Sequence, residues 1–378
     1  MDEQSFVNRV YKLKNNPFVQ RSGIIPSAYI VGRKRERMVW TKAVSNLKRG
    51  QGSSLNFVVG DYGFGKTVSL YSIVEQYAKD NSVHGIYIKL LREDLTSKFG
   101  VDIIQRIFYN VKKDRISTSK AKKALSQLGA PQTPQRNIIM KWIEGDELAN
   151  SYLTGRDQLK SADLAKLGVR QNIKSTDVAK EYFILLLLVL KESGISVLLL
   201  CIDEVEYLFS QMRGAKLANV INTLRDLYDL PTSPEVKGIQ IEISNLGFFF
   251  GISQSGWNNL NNLVKRERSQ GGPIQPLLSR KNTIIELAPL NLSETEELIE
   301  KRLRWNRLAN RMEGEPLIPY TKDYVKYVYQ LTLGNPREII ERCDYTLQDG
   351  IEKKAAKLTR VFAKTVFEER GLLSEPKA

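Results

Sequence analysis

The chain has 378 residues, 57 of them Lys or Arg and 42 Asp or Glu, giving a formal charge of +15 with a single histidine, His84, and two cysteines, Cys201 and Cys343. Hydrophobic residues at 42% and charged residues at 26% describe a folded globular protein, and so few His and Cys side chains exclude zinc hydrolases, His-based triads and a disulfide framework. The longest apolar run, 183–190, falls far short of the roughly 20 residues that span a bilayer, and the opening MDEQSF lacks a signal-peptide pattern. The expectation is a cytoplasmic protein with no membrane partner.

The charge is regional. Residues 1–60 carry 11 basic against 3 acidic side chains and 111–160 carry 10 against 5, whereas 291–378 has 16 against 15. Neutralising phosphates releases counterions, so a local basic excess points to a polyanion such as DNA, with a solvated surface as the plainer alternative.

Residues 1–28 form a basic arm, expected to be partly irregular around Asn15-Asn16-Pro17. From 29 to 290 the pattern is that of an α/β core. Leu55–Val59 reads as a buried parallel strand, and Val68–Lys79 has apolar residues at helical spacing. Between them stands Gly60-Asp61-Tyr62-Gly63-Phe64-Gly65-Lys66-Thr67, which meets G-x-x-x-x-G-K-[ST] at every defined position. Glycines let successive N–H groups turn around phosphate oxygens, and the following helix, from Val68 onward, adds its positive dipole end. Lys66 would neutralise the β- and γ-phosphates of ATP, and Thr67 would place its hydroxyl on Mg2+.

A second strand is read at Gly85–Leu90. The interval to the next strand exceeds one crossover helix and must hold an insertion, helical and spanning about 100–190. Helices are read at 102–112 and 177–192, with Lys112, Lys113, Arg115, Lys120, Lys122 and Lys123 as the densest basic run between them. Val197–Ile202 is apolar enough for a central strand and ends in Asp203-Glu204, a Walker B pattern. Asp203 would hold Mg2+ through water and Glu204 would polarise the attacking water; strand alternation makes Glu206 the poorer base. Leu246–Ile252 ends in Ser253-Gln254-Ser255, placing Gln254 or Ser253 to sense the γ-phosphate, and Thr283–Leu287 is the fifth strand. The basic loop Lys265–Pro273 is a candidate DNA or subunit contact.

Beyond Pro289 the periodicity is helical. Residues 291–378 read as a lid of four helices, Glu294–Asn310, Thr321–Leu331, Pro336–Gln348 and Ala355–Glu369, with Ser293 and Glu296 as a capping box and Pro336 at the first helical position.

Together these motifs resemble an AAA+ ATPase of the Orc/Cdc6-like branch. Ile30-Val31-Gly32-Arg33-Lys34-Arg35-Glu36 resembles the box that packs near the adenine, which implies nucleotide contacts for Val31 and Arg33. Leu278-Ser279-Arg280-Lys281 resembles the Ser-Arg motif of clamp loaders, implying that Arg280 reaches a neighbouring subunit's site. Gly334-Asn335-Pro336-Arg337 resembles sensor 2, directing Arg337 at the γ-phosphate. A narrower resemblance, across residues 15–345, is to the ATP-binding proteins of BREX phage-defence systems, the BrxD type, and their archaeal relatives. It rests on Asn16-Pro17-Phe18, the phosphate loop, Trp142-Ile143-Glu144-Gly145-Asp146, Leu164–Val169 and Cys201–Glu206. The stretch after Tyr345 is too short for the winged helix of Orc/Cdc6 initiators, so origin recognition by such a domain is not expected.

The expected fold is therefore α/β, a P-loop AAA+ core with a five-stranded parallel sheet, a helical insertion and a C-terminal helical lid. The expected activity is Mg2+-dependent hydrolysis of ATP to ADP and phosphate. The resemblance implies a DNA-associated switch, or a loader of a DNA-processing partner such as a helicase, that self-associates into a ring or filament. The competing readings are a STAND-type signalling NTPase acting through a protein partner without DNA, and a degenerate nucleotide-binding scaffold.

Overall fold

A computed structural model describes residues 2–19, 30–91, 98–129, 133–212, 214–232, 234–236, 239–267, 274–308 and 316–372. The chain divides into two units, one made of Arg35–Gly60 and Leu70–Glu286, the other of Met1–Lys34, Asp61–Ser69 and Leu287–Ala378.

The first unit is built on five parallel strands: β1 (Ser53–Val59), β2 (Val83–Lys89), β3 (Val197–Asp203), β4 (Asn245–Ile252) and β5 (Lys281–Glu286), in the order β2-β3-β4-β1-β5. The inner strands β3 and β4 carry the longest apolar runs because a parallel sheet is covered on both faces. Every residue of β1 and β3 is buried, as is all of β4 after Asn245, whereas the edge strands β2 and β5 are only partly covered. This is the five-stranded parallel sheet expected from the sequence. Its register sets Val59 beside Ile252, Ile202 beside Phe250 and Lys89 beside Asp203, so the strands finish together at one edge.

Helices α1 (Lys34–Lys48) and α2 (Lys66–Gln76) flank β1 in sequence. The insertion is helical, as expected, and contains α3 (Phe99–Asn110), α4 (Thr118–Gln127), α5 (Pro134–Ile143), α6 (Glu147–Thr154) and α7 (Thr176–Glu192). The last four start where Ser117, Thr133, Asp146 and Ser175 each accept a backbone N–H of the first turn, which satisfies donors the helix itself leaves open. α7 buries Phe183 and the run Leu185–Leu190, an all-round apolar surface that only a central helix can afford. Helices α8 (Gly214–Asp229) and α9 (Gln254–Glu267) belong to the same unit.

The fold divides the basic run of the insertion. Lys113 lies over the Trp142 ring, 5.6 Å from its centroid, and Arg115 donates to the carbonyls of Val83 and Asp80, each at 2.8 Å. Lys112, Lys120, Lys122 and Lys123 are exposed.

In the second unit α10 (Leu292–Trp305), α11 (Lys322–Thr332), α12 (Pro336–Glu352) and α13 (Arg360–Glu369) share one apolar core. The capping box of α10 is not Ser293 with Glu296. Asn291 is the extended residue, its side chain accepts the Glu294 N–H, and Glu294 Oε2 accepts the Asn291 N–H at 2.9 Å. α13 begins at Arg360, not Ala355, because Lys354 takes a left-handed turn and Leu358 bridges to Tyr320 before Thr359 caps the helix. The basic arm is anchored in this core by Phe6, Val7, Tyr11, Leu13 and Phe18. Tyr11 donates its hydroxyl to the Ala355 carbonyl at 2.7 Å, and the buried Arg302 donates to that of Pro17 at 3.0 Å. Among the described residues no helix is long and apolar enough to cross a membrane.

His84 on β2 is 2% exposed, with Arg115 3.2 Å from Nδ1 and the Lys112 N–H donating to Nε2 at 3.3 Å. Burial, then the Arg115 and Lys112 charges, push its pKa from 6.5 down to about 4. Between those values the unfolded chain binds a proton that the folded chain refuses, so stability falls as pH drops from 6.5 towards 4, by about 3 kcal/mol for this group. Urea denaturation of wild type and His84→Gln at neutral pH and near pH 4 should show the larger acid loss in wild type. An equal loss in both would remove His84 as the cause.

Candidate functional site

β1 runs directly into the glycine loop, and the Gly60 N–H donates to the Ile252 carbonyl at 3.3 Å. Gly63 and Gly65 have φ of 87° and 88°, in the left-handed region that only glycine enters at no steric cost. The Phe64 N–H donates to the Asp61 carbonyl at 3.2 Å, the Lys66 ammonium donates to the same oxygen at 3.3 Å, and Thr67 is exposed in the first turn of α2. Arg33, 5% exposed, donates to the carbonyls of Ala288 at 2.7 Å and Phe64 at 2.8 Å. Its guanidinium thereby braces the loop backbone, and the nearby Val31 is buried in the helical core.

The start of α12 rests on the same loop. Asn335 donates from Nδ2 to the Tyr62 carbonyl at 3.2 Å, and the Arg337 guanidinium lies 4.5 Å from the centroid of the Tyr62 ring, itself 72% exposed. A Cβ at position 63 would stand 2.6 Å from Asn335 Oδ1 and 2.8 Å from Arg337 Cβ, so the close approach requires glycine there. The loop and the sensor 2 segment singled out in the sequence are brought together.

At the end of β3, Asp203 is 1% exposed. Its Oδ1 accepts the Glu204 N–H at 3.0 Å, and its Oδ2 accepts the Tyr87 hydroxyl at 3.0 Å. The Tyr87 ring stacks on Tyr71 of α2, with centroids 3.9 Å apart and planes 24° apart. Burial, then the Asp203 charge, push the Tyr87 phenol far up, so it remains a donor. Glu204 has φ of 62°, a conformation costing a non-glycine residue on the order of 1–3 kcal/mol and concentrated at functional sites.

Glu206 is committed elsewhere, its Oε1 accepting the Ser253 N–H at 3.2 Å. Ser253 in turn accepts the Gly256 N–H at 3.0 Å, as a helix cap does, and Gln254 donates to Asn258 Oδ1 at 3.3 Å. Of the two sensor candidates, Ser253 therefore has a structural task at the start of α9. Arg280 donates from Nε and a terminal nitrogen to both Asp229 oxygens at 2.9 and 2.7 Å, and from its other terminal nitrogen to the Pro276 carbonyl at 2.7 Å. In the isolated chain this arginine is held in cis. Of the loop Lys265–Pro273, residues 268–273 lie outside the described residues.

The donors suit Mg2+, a hard cation usually bound by one or two carboxylates together with phosphate oxygens and water. In one unit Asp203 offers a buried carboxylate that accepts the Tyr87 hydroxyl and the Glu204 N–H, and in the other Thr67 offers an exposed hydroxyl. Among the described residues no group of three or more His, Cys, Asp and Glu side chains could hold a metal by itself. Sequence reasoning did not find Tyr71, Tyr87, Asp229 or Gly251. Only the register of β2 on β3 puts Tyr87 within reach of Asp203.

Residues 141–322 match the family model described as BREX system ATP-binding protein BrxC/D. In fold, the chain is similar to the ORC2 protein of Aeropyrum pernix, solved as ADPNP-ADP complexes, with 14% identity over 94% of this chain and 72% of that one and a TM-score of 0.53. It is also similar to Cdc6p from Pyrobaculum aerophilum, with 11% identity over 94% of this chain and 71% of that one and a TM-score of 0.50. The likeness to these two solved structures is one of fold. Comparison with curated proteins gives no match. The family match takes in the second half of the insertion, β3, β4 and β5 and α10.

Beside the end of β3, a Cβ on Gly251 of β4 would stand 2.5 Å from Asp203 Oδ1 and 2.9 Å from Leu70 Cδ1. Gly251→Ala should therefore cost about 1–3 kcal/mol by overpacking, read as a lower urea midpoint at unchanged slope. An unaltered midpoint would mean that the carboxylate is not confined as described.

Proposed function

We propose that the protein binds and hydrolyses ATP with Mg2+, and that this cycle drives a DNA-associated switch or the loading of a DNA-processing partner such as a helicase. The observation that carries the ATPase reading is the complete loop 60–67 running from a buried parallel strand into α2 in a chain whose β3 ends in a buried Asp203. In this reading the loop's N–H groups and Lys66 hold the β- and γ-phosphates. Thr67 and Asp203 hold the metal side, and Glu204 takes the proton of the attacking water. Arg337 on α12 and Gln254 at the start of α9 are assigned to the γ-phosphate. The metal, when bound, neutralises phosphate charge and so favours attack on phosphorus.

Two substitutions separate binding from chemistry. Lys66→Ala removes the cation that faces the phosphates and should weaken ATP binding. Glu204→Gln keeps the shape, loses the base, and should bind ATP as wild type does while failing to turn it over. Isothermal titration and phosphate release measure the two. Wild-type turnover in Glu204→Gln would contradict the assignment of the base.

DNA is supported by the regional basic excess and by the exposed Lys112, Lys120, Lys122 and Lys123 on and beside α4. Self-association into a ring or filament is supported by the Ser-Arg motif. There Arg280 would exchange Asp229 for phosphate oxygens of a neighbouring copy. Assignment to phage defence follows the BREX match, and the absence of a membrane-length helix among the described residues accords with a cytoplasmic site. Duplex binding should weaken with salt by a log–log slope of about −0.9 per phosphate contact. Changing the four exposed lysines to Glu should flatten that slope and leave basal ATPase activity alone. A slope equal to wild type would clear the insertion of DNA contact, and no wild-type binding at low salt with ATP would favour a switch acting on a protein partner.

A further inference from the structure

We infer that Tyr87 is a positioning residue for the Walker B carboxylate: its hydroxyl holds Asp203 in the orientation in which that carboxylate meets the nucleotide's divalent cation. The inference rests on the reading of Asp203 as the metal-side carboxylate. It begins from the burial of Asp203, at 1% exposure, where an ionised carboxylate must be hydrogen-bonded to remain charged. Its donors include the Glu204 N–H on Oδ1 and the Tyr87 hydroxyl on Oδ2, both at 3.0 Å. The first belongs to the adjoining residue and is local. The second comes from another strand and fixes the rotation of the carboxylate against the sheet.

The register explains the reach. Tyr87 pairs with Cys201 and Lys89 with Asp203, so Tyr87 lies on the diagonal from Asp203 and on the same face of the sheet, a span that aromatic side chains bridge. The ring is not free to follow the carboxylate, because Tyr71 covers its face at 3.9 Å. Tyr71 sits on α2, the helix that opens with Lys66 and Thr67. The clamp is therefore carried on the helix that begins with the phosphate loop. On the other side, Gly251 leaves no side chain to contest Oδ1.

Tyr87→Phe removes the one hydrogen bond and keeps the ring, its stack on Tyr71 and the strand. Mn2+ binding in the presence of ADP, followed by electron paramagnetic resonance, reads the metal site without turnover. Loss of an outer partner of a metal ligand costs about 10- to 100-fold in metal affinity, so Tyr87→Phe should weaken Mn2+ by about 10-fold. Its melting temperature and its ADP affinity in EDTA should match wild type. Mn2+ affinity within about two-fold of wild type would overturn the inference and leave the ATPase reading standing. Wild-type protein that retains no Mn2+ with ADP, or Asp203→Asn that retains it as wild type does, would overturn the metal-side reading of Asp203 and the inference with it. Should Tyr87→Phe not fold, Tyr71→Leu, which unclamps the ring and keeps the hydroxyl, should weaken Mn2+ with EDTA-state ADP affinity unchanged; unaltered Mn2+ affinity there would equally overturn it.

Discussion

Strands that all run one way discharge their carboxyl ends at one edge of the sheet, and the chemistry of this protein is gathered by that constraint. Registers between β1 and β4, and between β3 and both β2 and β4, put Gly60, Asp203 and Ser253 at that edge without any of them being near another in sequence. The cost is that inner strands must be apolar on both faces, and Val197–Ile202 and Leu246–Ile252 meet it. Polar residues appear where the apolar runs stop, which is where ligands bind open parallel sheets. A single buried carboxylate can be kept there because a neighbouring strand and the adjoining backbone supply its hydrogen bonds.

Within the helical unit, to which residues 61–69 belong, the glycine loop is held through its backbone carbonyls. Arg33 takes Phe64 and Asn335 takes Tyr62, and the Arg337 guanidinium lies against the Tyr62 ring. An exposed aromatic face is a weak partner for a guanidinium, worth about 0.5–1 kcal/mol. It can be surrendered cheaply. The bidentate pair of Arg280 with Asp229 is a firmer commitment. The two arginines that the motifs mark for nucleotide thus differ in how strongly this chain holds them back.

Much of this was legible because the strongest sequence signals are local. The phosphate loop is eight consecutive residues, Walker B is an apolar run with an acidic end, and four of the insertion's helices open on Ser, Thr or Asp caps. The capping of α10 was misread by two residues because Ser293-x-x-Glu296 and Asn291-x-x-Glu294 both satisfy the pattern, and only backbone conformation decides between them. Nothing in the basic arm's local sequence marks Phe6, Tyr11, Leu13 and Phe18 as core, because their burial depends on helices nearly three hundred residues later in the chain. Likewise the basic run of the insertion looked uniform until Trp142 and the ends of β2 claimed Lys113 and Arg115. Tyr87, Gly251 and Asp229 carry no motif at all. Their roles arise from pairing across strands and helices, which sequence spacing does not encode.

The central claim is that the loop 60–67 and Asp203 serve one nucleotide and its metal. A crystal structure of the protein grown with Mg2+ and a non-hydrolysable ATP analogue tests it most directly. The expected density has the β- and γ-phosphates within the loop's N–H groups and Lys66, with Mg2+ bound by the Thr67 hydroxyl and linked through water to Asp203. Nucleotide bound away from the loop, or phosphates in the loop with the cation remote from Asp203, would contradict it.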